Sequence, residues 1–432
     1  GIEHRRFSID DQPSAEEANG DLWGISSAQV TKGKDHVSEI FAEFELPLVA
    51  DQPGFELLSL NLSGRAFKYD TVEDSDSVWK AGLNWQISPT LKLRATRGTS
   101  YRAPGLYELY IGNQTSFLAQ AIIDPCVQWG QSTNEFLRAN CAAIGIPDNY
   151  GGASASATIV TGGGAGVLKP ETSRAFTAGI VLTPTETDFS IAVDYFRFEV
   201  NDQVDQLGAG AILGGCLAAP VFPNAFCDLF DRNPGNHPTA PYMITEVRDS
   251  FLNVNKQTVR GYDMLFRYEK ELGIGKLEIE GQSTWTTEAV ELLFDSEQED
   301  GFNTDDRRGS IGNPKFVSNL RTALERGDWT YTWFIDYVDD THSLTANPVF
   351  TYLGFPNAFR DIKAESRTYH GASVRYVQDK WDLLLGVNNL FDAEPPTISS
   401  GIGNSRYGNV PAFATQYDWY GRRVFMRFNY KF

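Results

Sequence analysis

The connections of this chain constrain it more tightly than its strands do. Stretches with a period of two, apolar on one face and polar on the other, recur from end to end. The last one, GRRVFMRFNYKF at 421–432, puts Val424, Met426, Phe428, Tyr430 and Phe432 on one face. Arg423, Arg427, Asn429 and Lys431 share the other with Phe425. Trp329, Tyr331, Trp333, Ile335 and Tyr337 form a second apolar stripe, and Trp381, Leu383, Leu385 and Val387 a third. In 275–287, Leu277, Ile279, Gly281, Ser283 and Trp285 alternate with Lys276, Glu278, Glu280, Gln282 and Thr284. Fourteen strands are expected, near 1–9, 36–49, 57–69, 77–87, 91–102, 172–183, 189–200, 255–268, 275–287, 315–325, 329–338, 368–378, 381–391 and 423–432. The segment 189–200 changes phase after Tyr195, which predicts a bulge there.

Between these strands, short and long connections alternate. The short ones are 50–54, 87–89, 184–188, 269–275, 326–328 and 378–379. The long ones are 10–35, 103–171, 201–254, 288–314, 339–367 and 392–422, and only 70–76 breaks the pattern. Short turns at one end of a meander and long loops at the other are the signature of a barrel in an outer membrane. A soluble sandwich would spread long connections over both ends. The fold class expected is all-β, a transmembrane antiparallel β-barrel.

Composition agrees. Hydrophobic residues make up 41% of the 432, aromatics 13%, and Gly is frequent at 39 while Met is scarce at 3. No apolar run approaches the roughly 18 residues of a membrane helix. Lys and Arg number 37 against 56 Asp and Glu, a net charge of −19, which argues against a nucleic-acid backbone as partner. Nothing resembles a nucleophile elbow or a paired-carboxylate site on rigid elements, so no enzymatic activity and no cofactor is expected. No leader opens the chain, because GIEHRRFSI at 1–9 already reads as a strand. Residues 1–432 are therefore expected to be the carboxy-terminal part of a longer protein.

All four cysteines fall in the two longest loops, Cys126 and Cys141 in one, Cys216 and Cys227 in the other. Each pair closes a compact loop if oxidised, with a stabilisation of ~3 kcal/mol, and oxidation requires an exported location. Reduced or zinc-bound cysteines are the alternative, but there is no CxxC and the five histidines are scattered. The acidic stretch DSEQEDGFNTDDRR at 295–308 lacks the spacing of a calcium loop and reads as a solvated tip. Loop aromatics such as Trp129, Tyr150, Tyr352, Phe355, Tyr407 and Trp419 are suited either to stacking on a sugar or catecholate or to packing the loops together.

Four stretches, taken together and in order, carry a family resemblance. LKLRATRGTSYRAPGLYELY at 91–110 resembles the strand and S-[FY]-R-A-P-x-x-x-E-L motif of TonB-dependent outer-membrane receptors. LKPETSRAFTAGIVLTP at 168–184 is similar to that family's L-K-P-E-x-S motif. LLLGVNNLFDAEPP at 383–396 is similar to its penultimate strand, and the chain ends on an aromatic strand with terminal Phe432. The motif residues Arg102, Pro104, Glu108, Lys169, Pro170, Glu171, Asn389 and Asp392 all sit where strands leave or re-enter the wall. An architectural role is expected of them, since Pro104 lacks an N–H and ends the ladder, and the charges invite a salt bridge.

The resemblance implies a plugged barrel of about 22 strands, of which this chain would supply the last fourteen, with the plug and first strands outside it. It implies a Gram-negative outer membrane, long loops extracellular and the carboxy terminus periplasmic. The implied partners are outer-membrane lipid and lipopolysaccharide, the TonB complex acting through the plug, the remaining amino-terminal part of the protein, and the barrel-assembly machinery. That machinery would read Phe428, Tyr430 and Phe432. The implied function is TonB-dependent uptake of a scarce solute, a ferric siderophore first and a carbohydrate or other chelate next. A passive channel or a structural attachment barrel is the alternative. Trp129, Tyr150, Tyr407 and Trp419 are the candidate ligand contacts.

Overall fold

In the structure, a computed structural model, residues 1–22, 26–71, 75–185, 187–254, 256–292, 304–343, 349–352, 355–359, 363–399, 410–411 and 417–432 are described. For 304–305, 349–352, 355–359 and 410–411 only the backbone is described. Fourteen strands form one antiparallel wall in sequence order. They are β1 (Ile2–Asp11), β2 (Thr31–Gln52), β3 (Phe55–Tyr69), β4 (Asp76–Ser88), β5 (Leu91–Arg102), β6 (Glu171–Leu182) and β7 (Phe189–Asn201). The wall continues with β8 (Lys256–Leu272), β9 (Gly275–Leu292), β10 (Phe316–Arg326), β11 (Trp329–Val338), β12 (Arg367–Val377), β13 (Trp381–Asn388) and β14 (Arg423–Tyr430). Several strands run further toward the long-loop end than the alternation predicts. There they carry polar residues on both faces, as the Lys32–Asp35 stretch of β2 does.

Register fixes two faces. Trp333 pairs with Ala372, Ala372 with Val387, and Val387 with Val424, so all four lie on one side. That side carries the three stripes read from the sequence, and its members are open: Val424 is 79% exposed, Met426 70% and Phe428 58%. Arg423, Arg427 and Asn429 pair with Asn388, Leu384 and Asp382 on the opposite, concave side. An apolar face this extensive needs an apolar solvent. Among the described residues, no helix is long and apolar enough to cross a membrane.

One expectation fails. The pairing of β7 with β6 and with β8 runs from Phe189 to Asn201 without a shift, so there is no bulge after Tyr195. The irregularity lies one strand away, between Arg260 and Gly261, in the pairing of β8 with β9. The change of phase arises because Phe196 and Phe198 keep the concave side and stack on each other, with ring centroids 5.7 Å apart. A side chain at Gly261 would meet the Trp285 carbonyl and the Phe196 ring, which is why glycine occupies the bulge.

The wall buries few apolar side chains, Val37, Phe67, Ala323, Val338 and Tyr369 among them, and most of the buried core lies elsewhere. Its larger clusters lie in the two longest loops, around Ile212, Leu213, Ile244 and Val247 in one case and the four cysteines' neighbourhood in the other. These loops build a helix at Glu135–Ala143, a helix at Ala209–Leu217 and a four-stranded sheet. In that sheet Glu246–Arg248 runs parallel to Thr158–Val160, so one loop supplies each partner. The two loops are one folded cap at the long-loop end.

Candidate functional site: the cap and the concave face beneath it

The cap begins at the motif residues. Arg102 closes β5 and forks between two carboxylates. Its Nε donates to Glu171 at 2.7 Å, and both terminal nitrogens donate to Glu108 at 3.0 Å. One of those terminal nitrogens, Nη2, also donates to the other Glu171 oxygen. Glu108 also accepts from the Gly105 N–H at 2.6 Å, and Glu171 from the Val204 N–H at 2.8 Å. One guanidinium thus joins the exit of β5, the re-entry into β6 and the start of the second cap loop. Pro104 is buried at the exit, and Lys169 is exposed while its main chain exchanges two hydrogen bonds with the Asn253 side chain.

At the far side of the wall, Asn389 and Asp392 both take positive φ, 49° and 56°, which Asn and Asp tolerate better than most residues. Asn389 is buried and both ends of its amide bond Ala393, while Asp392 accepts from the Arg422 N–H at 2.8 Å. These residue types fit an exit turn, and Asn389 also lines the space on the concave face described below.

Within the cap, Cys126 is bonded to Cys141 and Cys216 to Cys227, with Cα separations of 5.8 and 4.9 Å. Each bridge closes its own loop, so what holds the loops together is non-covalent. Arg232 and Asp124 meet in two parallel bonds of 2.7 and 2.8 Å, with side chains only 9% and 0% exposed. Gln120, fully buried, donates to the Ile244 carbonyl at 2.7 Å and accepts from its N–H at 3.0 Å. Asn140 donates to the carbonyls of Leu217 and Ala219. Each of these side chains satisfies backbone or charge that burial would otherwise strand. Burial pushes the Asp249 carboxyl up from its ordinary value, while hydrogen bonds from the Gly208 and Leu207 N–H groups oppose the shift.

The two disulfides were expected from the sequence, but the Arg232–Asp124, Gln120–Ile244 and Asn140 pairings were not, since their partners lie far apart in sequence and only the finished cap brings them together. The helices themselves left a trace. Asn134 caps Glu135–Ala143 by accepting from the Leu137 N–H, a start signal readable from sequence.

The concave face of β6 to β14 borders a space of about 1610 Å³, lined among others by Arg267, Gln282, Arg321, Asp336, Trp419 and Arg423. Its charges are largely paired within the wall: Arg267 with Glu278 at 2.7 Å, and Arg321 with Glu280 at 3.0 Å. Of the aromatic candidates, Trp419 lines this space. Trp129 and Tyr150 pack in the cap core, where Trp129 Nε1 donates to the Ile146 carbonyl and Tyr150 meets the Tyr242 ring edge-on. Tyr407 and residues 295–303 of the acidic stretch lie outside the described residues, as do the side chains of Tyr352 and Phe355.

An antiparallel wall with an apolar outer face, an ion-paired concave face and a folded cap at one end defines a membrane β-barrel of the receptor type. The profile of the TonB-dependent receptor-like β-barrel family matches residues 1–390, and the chain belongs to that family. Solved structures of similar fold include a ferric enterobactin receptor (PfeA) mutant from Pseudomonas aeruginosa, 18% identical over 99% of this chain and 50% of that one, TM-score 0.61. The siderophore receptor PirA from Acinetobacter baumannii is 14% identical over 100% of this chain and 51% of that one, TM-score 0.58. The FrpB iron transporter from Neisseria meningitidis is 14% identical over 100% and 52%, TM-score 0.52. The chain spans about half the length of each. No curated protein matches its sequence.

Proposed function

We propose that this chain is the larger part of the wall of an energy-coupled importer of ferric siderophores in a bacterial outer membrane. The observation that carries the reading is the family match over residues 1–390, joined to a folded cap at the long-loop end and a concave face lined by ion-paired charges. In this reading the cap is extracellular, the short turns and Phe432 are periplasmic, and further strands complete a plugged barrel. A TonB complex, driven by the inner-membrane proton gradient, pulls the plug to open the path. The siderophore as cargo is supported by the ferric enterobactin receptor and the siderophore receptor whose structures share the fold. The wall's share of the work is to hold the cap and to offer paired charges and Trp419 to a solute entering below it.

The experiment is accumulation of an iron-loaded catecholate siderophore by cells that depend on this receptor. Uptake that stops when the proton gradient is collapsed supports the reading. Uptake that persists identifies a passive channel.

A further inference from the structure

Register on the outer face places an apolar groove directly against a band of arginines. Leu83, Ala95, Ala178, Tyr195 and Tyr262 form one cross-strand row in β4 to β8, and they line a groove of about 480 Å³. The next row toward the long-loop end reads Arg97, Phe176, Arg197 and Arg260. One row further, Arg174 pairs with Glu199 of β7 and with Thr99 of β5. Arg197 reaches Glu199 at 3.2 Å, and Arg260 is bonded to Glu288. Arg97 and Arg174 are exposed and have no carboxylate partner among the described residues. They are diagonal neighbours on adjacent strands, with Cβ atoms roughly 7–8 Å apart.

This surplus of cations is local, because the chain as a whole carries −19. It occupies two successive rows of β5 to β8, with Leu83, Ala95, Ala178 and Tyr195 on the short-turn side and mostly polar residues, Thr99, Thr172, Glu199 and Asn201, at and beyond them. Inward arginines such as Arg94 and Arg102 are matched to carboxylates, so a pair left unmatched on the outer face calls for an anion from outside the chain. At the edge of an apolar belt the anion available at that height is a lipid headgroup phosphate. Guanidinium forks suit phosphate oxygens, and the groove below suits an acyl chain. Resting on the reading of the wall as membrane-spanning, the geometry points to a binding site for one phosphorylated, multiply acylated lipid of the outer leaflet. Arg97 and Arg174 take its phosphate, and a chain lies along Ala178 and Tyr195.

The test uses the intact receptor in nanodiscs, with native mass spectrometry reading the bound lipid. The probes are a bisphosphorylated hexa-acyl glucosamine disaccharide lipid, its dephosphorylated counterpart and inorganic phosphate. The native protein should prefer the phosphorylated lipid by roughly thirtyfold, from two cations at an anionic surface. Arg97→Gln with Arg174→Gln should erase that preference, and the Lys pair at the same positions should restore most of it. Ala178→Phe, which fills the groove, should weaken both lipids. Equal binding of both lipids by the native protein, or an unchanged preference in the Gln pair, overturns the site. Displacement of the lipid by an equal concentration of inorganic phosphate overturns its assignment to lipid. A protein that does not enter the bilayer at all refutes the membrane reading instead.

Discussion

Replacing Asp124 by Ala would leave the Arg232 guanidinium buried without its carboxylate. Two bonds of 2.7 and 2.8 Å are lost, and the Cys126 N–H loses its acceptor at 3.0 Å. Removing one partner of a buried pair costs ~3–5 kcal/mol. At tenfold per 1.4 kcal/mol, the opening equilibrium of the cap should rise by roughly two to three powers of ten. Hydrogen exchange reads this locally. The amides of Cys126, Ile244 and Val247 should exchange faster by that factor, while those of Leu320 and Trp333 in the wall should keep their native rates. The double replacement Asp124→Leu with Arg232→Met should recover much of the loss, because an apolar pair of similar size leaves no charge stranded. Cap amides accelerated less than threefold, or wall amides accelerated equally, would refute the claim that this pair joins two loops into one body.

Further outcomes follow from the same geometry. Cys126→Ser with Cys141→Ser should destabilise the cap by ~3 kcal/mol, visible in exchange and in protease sensitivity of residues 124–150. Leu385 and Leu384 face opposite sides, so Leu385→Arg should lower stability in bilayers by ~2–4 kcal/mol while Leu384→Arg costs far less. Asp249 has a raised pKa, so its ionised form penalises the folded cap. Its contribution should therefore grow more favourable as pH falls from the raised value to the ordinary carboxylate range, and Asp249→Asn should abolish that slope in cap exchange. Deleting Phe432 should lower the amount of assembled receptor in the outer membrane more than the affinity of the receptor that does assemble.

The wall was legible because a strand with lipid on one side has little choice there. Trp329 to Tyr337 and Trp381 to Val387 could be assigned a face from residue type alone, and the register confirms both stripes. Strand ends were less legible. Near the cap both faces turn polar, as in β2 before His36, and the inward Phe196 and Phe198 mimic a change of phase. The cap left little trace because its contacts join residues about a hundred positions apart, such as Asp124 with Arg232. Asn134 before EFLRANCAA and the apolar run AILGGCL did mark its two longer helices, yet no local pattern tells which helix meets which. The motif charges were readable as a salt-bridge set, but that Glu171 also accepts the Val204 N–H depends on the fold.

The most direct test of the central claim is iron accumulation from a labelled ferric siderophore by energised cells, measured before and after collapse of the proton gradient. The account predicts saturable accumulation that requires this receptor and stops on collapse. Accumulation that continues unchanged, or that is equal in cells lacking the receptor, would contradict it.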